Sequence, residues 1–182
     1  MHDTTKNKAI FFDRDGIINR RKIGGYITTT EEFVFIPDFF TVFAYAIHKN
    51  YIPIVITNQQ GIGKGLMTIH DLRRIHTHMQ QHIRLATGAD FDDIRFCTSL
   101  AQDNDQRRKP NPGMITESIQ QWNINPQQSW MIGDSQSDII AAQAAGVRTI
   151  YIGNSQDLTI TTADHIFATM SELNENLHRI IE

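Results

Sequence analysis

Asp13 and Asp15 flank a single arginine, directly behind the apolar run Ala9-Ile10-Phe11-Phe12 and directly before Gly16. In an extended backbone, residues two apart project to the same side, so both carboxylates address one reacting group. One carboxylate as nucleophile and a second as proton carrier, gathered around a cation, is the chemistry that suits such a pair. Gly16 lets the chain turn sharply or approach a ligand closely. A calcium loop also opens Asp-x-Asp, but its glycine comes later and a glutamate closes it; here the closing position is Gly24. A plain acidic turn at a strand end is the other reading, and the groups found downstream decide between them.

Those groups stand at the ends of further apolar runs. Tyr51 to Ile56 predicts a second buried strand, tipped by Thr57, Asn58 and Gln59 and followed by Gly61, Gly63 and Gly65. A hydroxyl, amides and spaced glycines make a loop able to surround phosphate oxygens. Asp93 to Cys97 predicts a third strand, and Thr98 to Arg107 a polar loop leading to Arg108 and Lys109. Asn111 is placed to cap a helix beginning at Pro112, with Lys109 positioned to hold an anion near that start. Ser129 to Gly133 predicts a fourth strand with Asp134 and Asp138 at its tip. Chemistry in an open parallel sheet collects beyond the carboxyl ends of its strands, which is where all these residues fall.

The elements that must position them alternate strand and helix. Pro37 marks a helix start, with Phe39, Phe40, Val42, Phe43, Ala46 and Ile47 at helical spacing, as core rather than a base-stacking platform. Thr68 and Asp71 have capping-box spacing before a stripe of Ile69, Leu72, Ile75, Met79 and Ile83. His78 and His82 lie off that stripe and read as surface histidines rather than metal ligands. A helix through Ile139 to Ala145, strands over 148–152 and 164–167, and a closing helix over 171–181 complete the pattern. Ile27 to Ile36, with its Phe33/Phe35 alternation, predicts a short hairpin or flap. The fold class is therefore α/β, a three-layer doubly wound parallel sheet, in one domain over residues 1–182.

Composition narrows the setting. A formal net charge of -3 over 182 residues provides no field to recruit nucleic acid or an anionic membrane. Cys97 is the single cysteine, which excludes an internal disulfide. Residues 1–6 lack the apolar core of a signal peptide, and no apolar run is long enough to span a bilayer. A cytoplasmic, monomeric enzyme acting on a small phosphorylated metabolite is the expectation.

The four strand-tip signatures, Asp13-Arg14-Asp15-Gly16, Thr57-Asn58, Lys109-Pro110 and Gly133-Asp134-Ser135-Gln136-Ser137-Asp138, resemble those of the haloacid dehalogenase superfamily of phosphatases. Within it, Gly25-Tyr26, the segment Thr57 to Gly65 and Arg108 to Met114 are similar to the heptose bisphosphate and histidinol-phosphate phosphatases, a group without a large cap domain. The resemblance implies that Asp13 is the nucleophile and Asp15 the proton carrier, with Thr57, Asn58 and Lys109 holding the phosphoryl oxygens. It implies Mg²⁺ on Asp13, the Asp15 carbonyl and Asp134, with Asp138 in support. Gly25, Tyr26, Gln59, Arg108 and the Arg20 to Tyr26 loop are implied for the rest of the substrate. The group commonly holds a structural zinc through Cys-x-His and Cys-x-Cys, but here Ser99, Asp105 and Arg107 accompany Cys97. One thiolate and one carboxylate do not make a dependable tetrahedral site, so structural zinc is expected to be absent. Ser135 stands where the heptose enzymes often have lysine. A polynucleotide 3′-phosphatase and a phospho-accepting receiver domain stay open as alternatives. The first lacks a basic stripe here, and the second usually has an adjacent acidic pair.

Overall fold

The computed structural model describes residues 6–159 and 162–181; the leader reading of residues 1–5 lies outside that range. Six strands form one sheet: β1 (Ala9–Phe12), β2 (Ile52–Asn58), β3 (Asp93–Cys97), β4 (Trp130–Gly133), β5 (Arg148–Ile152) and β6 (His165–Phe167). All pairings are parallel, in the order β3-β2-β1-β4-β5-β6. The chain steps outward from β1 to β3, then returns to the other side of β1 with β4. That reversal places a crevice between the ends of β1 and β4, the usual ligand position in a doubly wound sheet.

The central strands are apolar throughout because both sheet faces are covered. Ile10 and Phe12 of β1, Val55 of β2, and Trp130 and Ile132 of β4 enter one core. That core is completed by α1 (Phe39–His48), by α3 (Ile69–Thr87), which follows the single turn α2 (Gln60–Gly63), and by α6 (Met170–Ile180). Ala9, Phe11, Ile54, Ile56 and Met131 enter the opposite core, under α4 (Gly113–Gln121) and α5 (Gln136–Ala144). The phenylalanines are core, as their spacing predicts: Phe39 meets Phe12 edge-on at 5.4 Å, and Phe43 meets Phe91 at 5.0 Å. No described helix is long and apolar enough to cross a membrane.

Several expectations shift by local chemistry. Thr68 and Asp71 do form a capping box, but Ile69, the first residue of α3, is 38% exposed, and His76 joins Leu72, Ile75, Met79 and Ile83 in the buried row. Helix α1 begins at Phe39, two residues after Pro37. Asn111 does not cap α4, which starts at Gly113; its side-chain amide instead donates to the Asp105 carbonyl at 2.9 Å. Asp138 and Ser135 form their own capping box, so α5 begins at Gln136 rather than Ile139. The predicted flap is tied down where Arg20 N donates to the Val34 carbonyl and Ile36 N to the Ile18 carbonyl. His78 and His82 lie against one another, ring centres 4.1 Å apart, and against Phe35.

Candidate active site

Register brings the strand tips level. Phe12 pairs with Val55 on one side and Ile132 on the other, and Asp13 N continues the ladder by donating to the Ile132 carbonyl at 3.0 Å. Asp13 thus emerges between Ile56 and Gly133, one residue short of Thr57. Gly16, at φ +104°, provides the next requirement. A Cβ there would stand 1.8 Å from Asp134 Oδ2, so only glycine lets the β4 tip close on the β1 turn. Gly133 plays the same part for Asp138, whose Cβ would lie 2.4 Å from any Cβ added there.

Lys109 reaches into this crevice from the far end of the loop after β3. Its Nζ donates to Asp13 Oδ1 at 2.8 Å and to the Ile56 carbonyl at 2.7 Å, and lies 2.5 Å from Asp138 Oδ1. All three side chains are buried. Burial disfavours the charged ammonium, but Asp13 and Asp138 outweigh it and hold the lysine pKa above its usual value. Asn58 fixes the lysine backbone from the neighbouring strand, donating to the Lys109 carbonyl at 2.9 Å and accepting from Lys109 N at 3.1 Å. Its amide is committed to that clasp, so Asn58 acts on any ligand chiefly through Lys109.

Asp15 is held differently. Arg14 donates to both of its oxygens, at 3.0 and 2.8 Å, while Asn19 and Gln59 add bonds of 2.9 and 3.1 Å. Burial works to raise this carboxyl, but Arg14, Asn19 and Gln59 prevail and keep it below the usual range. Arg14 is itself buried, with Nη1 3.4 Å from Nε2 of His76 on α3. Burial, then the Arg14 charge, holds His76 down to about 3, so its neutral ring serves as the acceptor. Arg14 and His76 are not singled out by their spacing. The available signal is a titratable residue inside the buried row of α3.

A cavity of about 790 Å³ opens over Asp13, Asp15, Thr57, Asn58, Lys109 and Asp138. Gly25, Tyr26, Lys64 and Ser135 also line it, and the Lys64 ammonium sits 5.4 Å from the Tyr26 ring centre. Two residues expected to face substrate do otherwise. Gln59 is buried and spends its amide on Asp15 and on the Thr57 hydroxyl, at 3.1 and 2.9 Å. Arg108 donates to the Ser99 carbonyl at 2.9 Å and to Gln60 at 3.3 Å, bracing the loop outside the cavity lining. Two of the glycines after β2 pack against protein instead. Gly61 packs against Tyr26 and Met67, and a Cβ on Gly63 would lie 2.5 Å from the Thr98 carbonyl.

One ligand oxygen each from Asp13, Asp134 and Asp138 falls within 4.8 Å of the others. Burial and mutual repulsion push Asp13 and Asp134 upward, a strain that a cation between them relieves. An all-oxygen donor set of this kind fits Mg²⁺ or a similar hard ion. In the loop after β3, Ser99 Oγ and Cys97 Sγ both donate to Asp105 Oδ2, at 2.5 and 3.4 Å, and Arg107 N donates to Asp105 Oδ1 at 2.8 Å. The Arg107 guanidinium turns to Glu117, at 3.2 Å.

The HAD-hydrolase-like family model matches residues 106–173. The chain is 37% identical over 78% of its length to the D-glycero-beta-D-manno-heptose-1,7-bisphosphate 7-phosphatase of Helicobacter pylori, covering 81% of that protein. It is 38% identical over 79% of its length to the corresponding alpha-anomer 7-phosphatase of Burkholderia mallei, covering 78% of that protein. Its fold is similar to that of the D,D-heptose 1,7-bisphosphate phosphatase of B. bronchiseptica, crystallised with magnesium and phosphate, with a TM-score of 0.85 at 24% identity over 94% of this chain and 98% of that one.

Proposed function

The chain belongs to the heptose bisphosphate phosphatase group of the haloacid dehalogenase superfamily, and from that premise we propose that it removes one phosphate from a heptose bisphosphate through an aspartyl-phosphate. The observation that carries this reading is the shared crevice at the β1–β4 switch point. There Asp13 is paired to buried Lys109 while Asp15, two residues on, lines the same cavity.

Phosphatases of this superfamily use Mg²⁺, and Asp13, Asp134 and the main-chain carbonyl of Asp15 would hold it here. When bound, the cation supplies the positive charge that lets a carboxylate approach a phosphate dianion. Asp13 forms the bond to phosphorus as the bond to the sugar oxygen breaks, and Asp15 delivers a proton to that oxygen. Asp15 then takes a proton from the water that cleaves the aspartyl-phosphate, regenerating Asp13. Arg14 keeps Asp15 ionised before substrate arrives, so its proton is taken up as the dianion enters and like charge raises the carboxyl. Lys109 and the Thr57 hydroxyl bind the phosphoryl oxygens, where one such donor typically lowers the barrier by about 3 kcal/mol. Asp138 orients Lys109, and Gly25 and Tyr26 face the sugar.

A single domain, a monomeric state and a cytoplasmic setting belong to the same proposal. Cys97 is a buried free thiol, which suits a reducing compartment. We also propose that no structural zinc is held, because Asp105 already gathers Cys97 and Ser99 by hydrogen bonds. The test is multiple-turnover release of phosphate, with Mg²⁺, from heptose bisphosphate anomers, other sugar phosphates, histidinol phosphate and 3′-phosphorylated DNA. Preference for a heptose bisphosphate is expected. Preference for DNA ends or histidinol phosphate would reassign the substrate, and a stable phosphoprotein without turnover would point to a receiver.

A further inference from the structure

The carboxylates at the switch point meet two cations of unlike character. Lys109 is buried and ties down Asp13 and Asp138. Arg21 arrives from solvent, its side chain half exposed, with Nη2 2.6 Å from Asp134 Oδ1 and 3.3 Å from the Asp15 carbonyl oxygen. Asp134 and that carbonyl are among the donors assigned above to the divalent cation. A guanidinium at that position and an ion bound at about 2.0–2.1 Å to the same groups compete for the same negative charge and the same lone pairs. We propose that Arg21 is a built-in counter-ion of the metal site, holding Asp134 and the Asp15 carbonyl until a divalent cation displaces it.

The geometry explains why such a group is useful. Lys109 is committed to Asp13 and Asp138, which leaves Asp134 as a largely buried carboxylate beside two others. Uncompensated charge there repels its neighbours and loosens the crevice. Arg21 compensates it without being part of the core. The backbone one residue earlier is fixed by the bond from Arg20 N to the Val34 carbonyl, at 2.8 Å, so the side chain can swing away while the loop stays in place. Arg21 also lines the substrate cavity, so its displacement leaves a free positive charge at the mouth through which a phosphate must pass. Cation loading and the appearance of that charge are then one event.

This inference rests on the phosphatase reading only for the identity of the metal donors, and its test needs no turnover. Mg²⁺ is titrated calorimetrically into metal-free protein, without substrate, for the parent chain, Arg21→Ala and Arg20→Ala. Arg20→Ala removes the same charge from the same loop and serves as the control for a general field effect. The expected result is that Arg21→Ala binds Mg²⁺ about fivefold tighter than the parent, the effect of abolishing competition from a half-exposed ion pair. Arg20→Ala stays within about twofold, since exposed charges without contact are largely screened. Equal gains in both variants, or no gain in Arg21→Ala, would overturn the counter-ion role. Failure of the parent to bind Mg²⁺ at all would overturn the donor assignment itself, so the two outcomes are distinct.

Discussion

The chain holds two of its aspartates, Asp13 and Asp105, by opposite means. Asp13 sits at the end of a central strand, buried, with Lys109 equally buried against it and Asp138 closing the set. Asp105 sits in the loop after β3 and gathers Ser99, Cys97 and a backbone N–H at the protein surface. Removing one partner from the buried set strands a charge that water does not reach, at a typical cost of about 3–5 kcal/mol. Removing one from the surface set lets water step in. The first region therefore tolerates almost no change, while the second accepts substitution at small cost.

Replacing Asp13 with Asn breaks this comparison most severely. An amide at that position is not a competent nucleophile, so turnover falls by about four orders of magnitude or more, and rapid-quench experiments trap no phosphoprotein. Near-normal turnover would remove Asp13 from the mechanism. Asp15→Asn, measured alongside, keeps substrate binding and loses about 10²–10⁴ in kcat.

Lys109→Ala comes next. It costs about 10²–10³ in kcat, whereas Lys64→Ala, altering a side chain at the cavity rim, costs less than about tenfold and acts mainly on KM. Circular dichroism on both variants separates lost chemistry from lost fold. Equal losses in well-folded proteins would mean that burial of the lysine is not what distinguishes them.

His76 sharpens the comparison through pH. It stays near 3 in the folded protein against an ordinary 6.5 in the unfolded chain. Between those values the unfolded chain binds the proton and the folded one does not. His76 therefore contributes its full stability above pH 6.5, and that contribution drains as pH falls toward 3. The slope attributable to it approaches about 1.4 kcal/mol per pH unit. Urea denaturation between about pH 7 and 4 measures it, and His76→Gln is expected to flatten that limb. An unchanged slope would mean that His76 charges without unfolding.

The smallest effects belong to the surface loop. Ser99→Ala shifts Tm by no more than about 2 °C, because solvent replaces the lost hydroxyl. A zinc-selective chelator leaves Tm and Mg²⁺-dependent turnover unchanged, and elemental analysis finds no stoichiometric zinc. A tightly held zinc whose removal unfolds the protein would reverse the contrast between the two regions.

Much of this architecture is legible in the chain, because its causes are local or periodic. Apolar runs such as Ala9 to Phe12 and Ile54 to Ile56 announce strands covered on both faces, and β3 and β5 fall where their patterns place them. The Thr68/Asp71 cap is written in two residues three apart. Strand tips necessarily carry the polar groups of the site, so Asp13, Asp15, Thr57, Lys109, Asp134 and Asp138 are identifiable without knowing where each element lies. What a side chain touches depends instead on elements distant in sequence. The buried partner of Arg14 is His76, 62 positions away. Gln59 and Arg108 resemble substrate ligands by position, yet one is consumed by Asp15 and the other by the loop after β3. Gly16 requires explanation only once Asp134 lies where its Cβ would be. Residue type and periodicity determine which groups reach the crevice, because they act over a few residues; only the packing of elements distant in sequence decides which of those groups line the cavity and which bind one another.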